Sequence, residues 1–160
     1  MTNTTRPGKR IDTASRVIAA SPEALYRAFV EPEAVATWLP PEGMKGHIHA
    51  FEPRAGGTYR MTLSYDNADH TAPGKTSAHE DVVEGLFVEL IPNERVVQRF
   101  EFESDDPAYA GTMTMTWTLT PAAGGTRVTV TCEDVPEGIR QEDHIEGLTS
   151  TLANLAAYIE

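Results

Sequence analysis

The sequence predicts an α+β fold: one strand, two short helices, about six antiparallel strands and one long closing helix. Three observations predict it. Apolar and polar residues alternate from Gly46 to Cys132, as they do in strands with one dry face. Ile145, Leu148, Leu152, Leu155 and Ile159 recur at spacings of 3, 4, 3 and 4, which is a helical stripe. Between the first strand and the alternating region, two proline-marked segments carry helical rather than strand spacing.

The elements follow in order. Thr13 to Ala19 is short and rich in strand formers. SPEALYRAF comes next, with Ser21 as N-cap, Pro22 at the first helical position, and Ala24, Leu25, Ala28 and Phe29 at helical spacing. A second short helix, EPEAVATWL, ends at the prolines of TWLPPEGM, because proline removes a backbone donor and drives its predecessor out of the helical region. Tyr59, Met61, Leu63 and Tyr65 then share one strand face, after a turn from Arg54 to Gly57. Glu80 to Leu90 and Arg95 to Glu103 read as two strands joined by the turn PNE. In TMTMTWTLT, Met113, Met115, Trp117 and Leu119 share one face and the threonines the other. After PAAGG, the run TRVTVTC repeats the scheme with Val128, Val130 and Cys132. The closing helix runs from about His144 to Glu160. Beside its stripe lie Gly147, Thr151 and Asn154, small or polar where a tightly packed helix carries leucine or isoleucine, so they leave room. Asn67 to Ser77, NADHTAPGKTS, reads as a mobile loop of the length that gates a site.

Composition narrows the functional classes. The 160 residues suit a single domain, with residues 1–10 as a flexible start. A net charge of −11, from 13 basic and 24 acidic residues, repels phosphate backbones and anionic lipid, so neither nucleic acid nor stable membrane insertion is expected. The single cysteine, Cys132, excludes an internal disulfide and reads as a buried, inert thiol. No targeting segment or long apolar run is present, so a soluble, cytoplasmic protein is expected, with weak self-association left open. GxSxG, GxxxxGK[ST] and GxGxxG are all missing, and no cofactor is expected. His47 and His49 share a strand face, but spacing supplies no third ligand, so no metal site is expected.

One face of the predicted sheet carries Tyr59, Met61, Tyr65, Phe100, Phe102, Met113, Met115 and Trp117, which are large, flexible or amphipathic side chains. From the residues alone two readings stand: an ordinary packed core, or a wall that adapts to a guest. Trp38, stranded ahead of two prolines, is likewise either a plug at a helix end or the rim of a cavity.

Five stretches carry a family resemblance: ASPEALYRAFVEPEAVATWLPPEGM, FEPRAGGTYRM, GLFVELIPNERVVQRFEF, TMTMTWTLTPAAGGTRVTV and EGLTSTLANLAAYI. Together they resemble the helix-grip, START-like (SRPBCC) superfamily, within it the branch named after the activator of the heat-shock-protein ATPase. The resemblance implies a curved sheet wrapped around the long helix, with a deep apolar cavity between them and Trp38 at its rim. It implies a ligand-binding module for a small apolar or amphipathic molecule, walled by Trp38, Tyr59, Met61, Phe100, Phe102, Met113, Met115 and Trp117. The alternative it implies is a cyclase- or hydrolase-like enzyme in the same cavity. Contact with a chaperone is not expected, because the eukaryotic activators carry an additional N-terminal domain for which this length leaves no space.

Polar candidates complete the set. His79 and Asp81 lie two apart on a strand. If they face inward, the carboxylate orients the imidazole for proton transfer; otherwise they are a surface pair, and a bulge at Gly85 would reverse the facing beyond it. Asp143 suits the positive end of the closing helix, while His144 looks across the cavity mouth and Thr151 faces the cavity. Arg54 reads as a strand-end arginine tied to acidic neighbours, with a ligand carboxylate as the alternative.

Overall fold

A computed structural model describes residues 10–40, 44–65, 80–102 and 111–160, without the side chains of Tyr65, Glu80, Asp81 and Phe102. All but Arg10 of the expected flexible start at residues 1–10, and the expected loop from Asn67 to Ser77, lie outside the described residues. The chain runs β1 (Ile11–Ile18), α1 (Pro22–Val30), α2 (Pro32–Trp38), β2 (Met44–Phe51), β3 (Thr58–Tyr65), β4 (Glu80–Ile91), β5 (Arg95–Phe102), β6 (Met113–Ala122), β7 (Gly125–Glu133) and α3 (Gln141–Ile159). All neighbouring strands are antiparallel, in the order β1-β7-β6-β5-β4-β3-β2, and the sheet curls into a half-barrel closed by α3. This is the α+β helix-grip architecture.

Local chemistry sets each boundary. Ser21 caps α1, its hydroxyl accepting the Ala24 amide at 3.2 Å, and Pro22 occupies the first turn, where no donor is needed. The turn after β4 places Pro92 ahead of Asn93, whose φ of 67° is a left-handed conformation that asparagine tolerates, and the Glu94 amide closes the turn on the Ile91 carbonyl. At the β6–β7 hairpin Gly124 takes φ 88° for the same steric reason.

Because β1 and β2 sit at opposite edges of the sheet, α1 and α2 carry the chain across from one edge to the other. The third helix runs along β1 and is fixed at both ends. Near its start Gln141 and His144 bond Asp12, and at its end Glu160 accepts the Ala19 amide at 3.1 Å. Midway, Thr151 donates to the Leu39 carbonyl at 3.1 Å and Asn154 to the Pro40 carbonyl at 2.8 Å. Those carbonyls belong to the end of α2, where the helix ladder leaves acceptors unfilled. Thr151 and Asn154, expected to leave room, therefore also tie α2 to α3.

Trp38 requires the clearest correction. It is 1% exposed, its indole N–H donates to the Ala28 carbonyl at 2.9 Å, and its ring meets Phe29 edge-on at 5.0 Å and Trp117 at 5.5 Å. The indole is a plug between α1, α2 and β6, not a rim. A buried indole needs an acceptor, and the last turn of α1 supplies an unpaired carbonyl. Behind the plug Pro40 packs on Gly46, where an added Cβ would stand 2.8 Å from the proline ring.

The facing of β4 is a second correction. Its register breaks between Phe87 and Glu89, so the bulge residue is Val88 and not Gly85. Gly85 remains in the ladder, paired with Tyr59 on one side and Phe100 on the other. A Cβ there would stand 2.1 Å from the Arg99 carbonyl oxygen and 2.7 Å from the Phe100 Cβ, so only glycine fits that close approach. A further bulge at His49 interrupts β2.

Candidate ligand-binding cavity

The inward faces of β2 to β6, the end of α2 and the first half of α3 enclose a cavity of about 360 Å³. Tyr59, Met61, Phe100, Met113, Met115 and Trp117 all line it, as do His144 and Thr151, so eight of the residues singled out in the sequence converge here. Trp38 stands behind Trp117, off the wall. His79 and the side chains of Asp81 and Phe102 lie outside the described residues. The backbone of Asp81 pairs with Leu63 and that of Phe102 with Val83.

The cavity exists because its two walls are kept apart. On the helix side, Gly147 faces it with no atom within 4 Å of where a Cβ would stand. On the sheet side, Phe51, Tyr59, Gly85, Phe100 and Met113 form one row across four pairings, with the Tyr59 and Phe100 rings 6.4 Å apart on either side of the glycine. Met115 is only partly buried, so a flexible thioether borders the empty space.

Few polar groups face inward. Tyr59 is buried, and its phenol is pushed well above its ordinary pKa by desolvation and, secondarily, by the Cys132 charge, so it stays a neutral donor. Among the described residues no buried side-chain nitrogen or oxygen lacks a partner, yet neither the Tyr59 hydroxyl nor the Gln98 amide makes a side-chain hydrogen bond. Both are therefore open to the cavity they line. Gln98 begins a second row, paired to Met115, then Cys132, then Asp12, spanning three strand spacings or about 14 Å.

Asp12 anchors the far end of that row. It is 1% exposed and receives four hydrogen bonds: Arg10 Nε at 3.1 Å and Nη2 at 3.0 Å, Gln141 Nε2 at 3.0 Å and His144 Nδ1 at 2.7 Å. Burial alone would raise its pKa, but the His144 and Arg10 hydrogen bonds and charges outweigh that cost and hold it below the ordinary value. The carboxylate is thus an acceptor that fixes the imidazole of His144, and that imidazole lines the cavity. Next to it Cys132 is fully buried, its thiol pushed up to about 12 by desolvation and by Asp12, which makes it inert.

Sequence reasoning missed Asp12 and Gln98. Gln98 carried a signal, being a polar residue in the inward phase of VVQRFEF between Val96 and Phe100. Asp12 carried a weaker one, since the strand reading began at Thr13, one residue too late.

Other candidates lie elsewhere. Arg54 is exposed in its turn and pairs with Glu52 at 3.2 Å, as expected of a strand-end arginine. His47 and His49 share the outer face with rings 4.7 Å apart, His49 bonding Thr62 at 2.8 Å. Among the described residues no group of three or more potential ligands gathers to hold a metal. Asp143 is exposed at the mouth beside His144, and among the described residues no helix is long and apolar enough to cross a membrane.

Residues 19–160 match the family described as activator of Hsp90 ATPase homolog 1-like protein. The chain belongs to this family. Protein CV1439 of Chromobacterium violaceum is 31% identical, with a TM-score of 0.81 over 94% of this chain and 98% of its own. The AHSA1 protein of Silicibacter pomeroyi has the same fold at 19% identity, with a TM-score of 0.74 over 92% of this chain and 96% of its own. A protein of Nitrosomonas europaea aligns with a TM-score of 0.71 at 18% identity, over 98% and 97% of the two chains. No curated protein matches significantly.

Proposed function

We propose that this family member binds a small apolar or amphipathic molecule between its sheet and α3. The observation that carries the proposal is an apolar cavity of about 360 Å³ whose helical wall is set back at Gly147. That volume falls within the range of small-molecule sites, and a mostly apolar lining with a few open polar groups is their usual composition. The apolar walls supply affinity, while the Tyr59 hydroxyl, the Gln98 amide and the His144 imidazole orient the guest. The net charge of −11 disfavours nucleic acid, and a reduced, buried Cys132 suits a cytoplasmic setting. The family description speaks of a chaperone ATPase. For this chain small-molecule binding is the better supported reading, because its distinctive feature is an internal space.

Native mass spectrometry of the freshly purified protein tests this. A lipophilic molecule of fixed mass, retained by the native chain and lost from Gly147→Phe, is the expected result. A wild-type protein that carries no molecule and takes up no small aromatic probe would remove the proposal.

A further inference from the structure

Tyr59 carries an unpaired polar group in an otherwise satisfied interior. It is 7% exposed, and among the described residues its hydroxyl makes no hydrogen bond, although no fully sealed side-chain nitrogen or oxygen there is left without one. The hydroxyl therefore keeps an accessible face, and the space beside this residue is the cavity that it lines. Its ring is held in place. Phe87 lies at 5.3 Å and Phe100 at 6.4 Å, while Gly85, paired between Tyr59 and Phe100, puts no side chain in the way. Burial pushes the phenol well above its ordinary pKa, so the group presented to a guest is a neutral O–H. A rigid aromatic with one donor at the edge of an apolar space is pre-organised for an acceptor, because little freedom is lost when the bond forms.

The rest of the lining decides the kind of acceptor. Thr151 already donates to the Leu39 carbonyl, and His144 Nδ1 bonds Asp12 at 2.7 Å. Arg60, the one lysine or arginine among the described lining residues, pairs with Glu84 at 3.2 Å. Asp143 at the mouth and Asp12 behind His144 add negative charge, in a protein whose net charge is −11. A carboxylate guest would leave water without a cation assigned to it, which is costly. A carbonyl oxygen accepts the same bond with no charge to desolvate. We infer that the Tyr59 hydroxyl is the donor that selects the guest, and that the guest is a neutral carbonyl compound, a ketone, ester or amide, on an apolar body. The inference rests on the ligand-binding reading above and adds the chemical class of the guest. Gln98, two residues from Phe100 on the same strand and face, offers an amide of either polarity to a second polar substituent.

The test uses three naphthalenes that differ at one position: 2-acetylnaphthalene, 2-isopropenylnaphthalene, in which a CH2 group replaces the carbonyl oxygen, and the 2-naphthoate anion. Binding to the intact protein is measured by calorimetric titration. Comparing wild type with Tyr59→Phe, which keeps the ring and removes only the hydroxyl, cancels the differing water solubilities of the probes. The ratio of ketone to alkene affinity is expected to fall about tenfold in Tyr59→Phe, the worth of one hydrogen bond made away from water. The carbonyl stretch of the bound ketone, read by isotope-edited infrared difference, should lie at lower wavenumber in wild type than in the variant. The ligand-free variant should unfold in urea at a midpoint no lower than that of wild type, since the hydroxyl it lacks has no partner among the described residues. Three results would each overturn the inference and leave the cavity reading standing: an affinity ratio and a stretch unchanged in Tyr59→Phe, a midpoint lowered as by the loss of an internal hydrogen bond, or naphthoate bound as tightly as the ketone. Failure of the wild-type protein to bind either neutral probe would defeat both.

Discussion

Gly147 is where an open cavity and a filled core make opposite predictions. It sits inside α3, where glycine costs about 1 kcal/mol relative to alanine, and no atom lies within 4 Å of the position a Cβ would take. Gly147→Ala should therefore stabilise the protein by about 1 kcal/mol, equivalent to about 3 °C in Tm for a chain of this size. Gly147→Phe extends the comparison. Seated in the empty space, its ring adds up to about 1.5–3 kcal/mol of burial, whereas forcing it into a packed interior costs about 1–3 kcal/mol. Urea denaturation followed by tryptophan fluorescence reads the stability of both variants, and titration with 2-naphthol reads the occupancy of the space. The expected pattern is a protein as stable as wild type or more so that no longer takes up the probe. Destabilisation by more than about 1 kcal/mol in Gly147→Ala, or probe binding unchanged in Gly147→Phe, would refute the argument that the two walls stand apart at this residue.

Three further outcomes follow from the same geometry. Trp38→Phe leaves the Ala28 carbonyl without its buried donor and opens a gap beside Phe29 and Trp117, so it should cost about 2–4 kcal/mol in urea denaturation while changing probe affinity little. Asp12 has a folded-state pKa below its ordinary value of 3.8. The unfolded chain therefore takes up the proton first, and the stabilisation is present above the ordinary value and lost as pH falls through the folded one. Urea midpoints measured between about pH 5 and pH 2 should decline less steeply in Asp12→Asn than in wild type. Cys132, buried and with its thiol pushed up to about 12, should remain unmodified by a disulfide reagent at pH 8 until denaturant is added, when it reacts at once.

The architecture was legible because its signals are periodic. Alternation in TMTMTWTLT and TRVTVTC marks a strand pair with one dry face, and the structure pairs Thr114 with Glu133 through Ala122 with Gly125. The stripe from Ile145 to Ile159 marks α3, although the helix begins a turn earlier, at Gln141, because its first turn is polar and leaves no apolar trace. Much of the cavity lining was legible for the same reason: residues two apart on one strand share a face, as Tyr59 and Met61 do, and Met113 and Met115. What could not be read is everything that depends on three-dimensional closure. Whether Trp38 plugs or rims depends on the position of the Ala28 carbonyl, ten residues earlier, and Thr151 finds its acceptor 112 residues away. The bulge at Val88 leaves no compositional mark, whereas Gly85, which looked like one, is required by the close approach of the neighbouring strand. Asp12 fell outside a strand reading that began at Thr13, and its partners on α3 lie 129 and 132 positions further along the chain.

The ties between β1 and α3 also bear on how the chain comes off the ribosome. Asp12 waits 132 positions for His144, and Ala19 waits 141 for Glu160. Such distant pairings are slow to form and come late. Until residues 141–160 have left the exit tunnel, the methionines and rings of the concave wall face water in a nascent half-barrel, a species prone to stick to its neighbours. A guest able to occupy that trough early would do for the growing polypeptide what α3 does for the finished one.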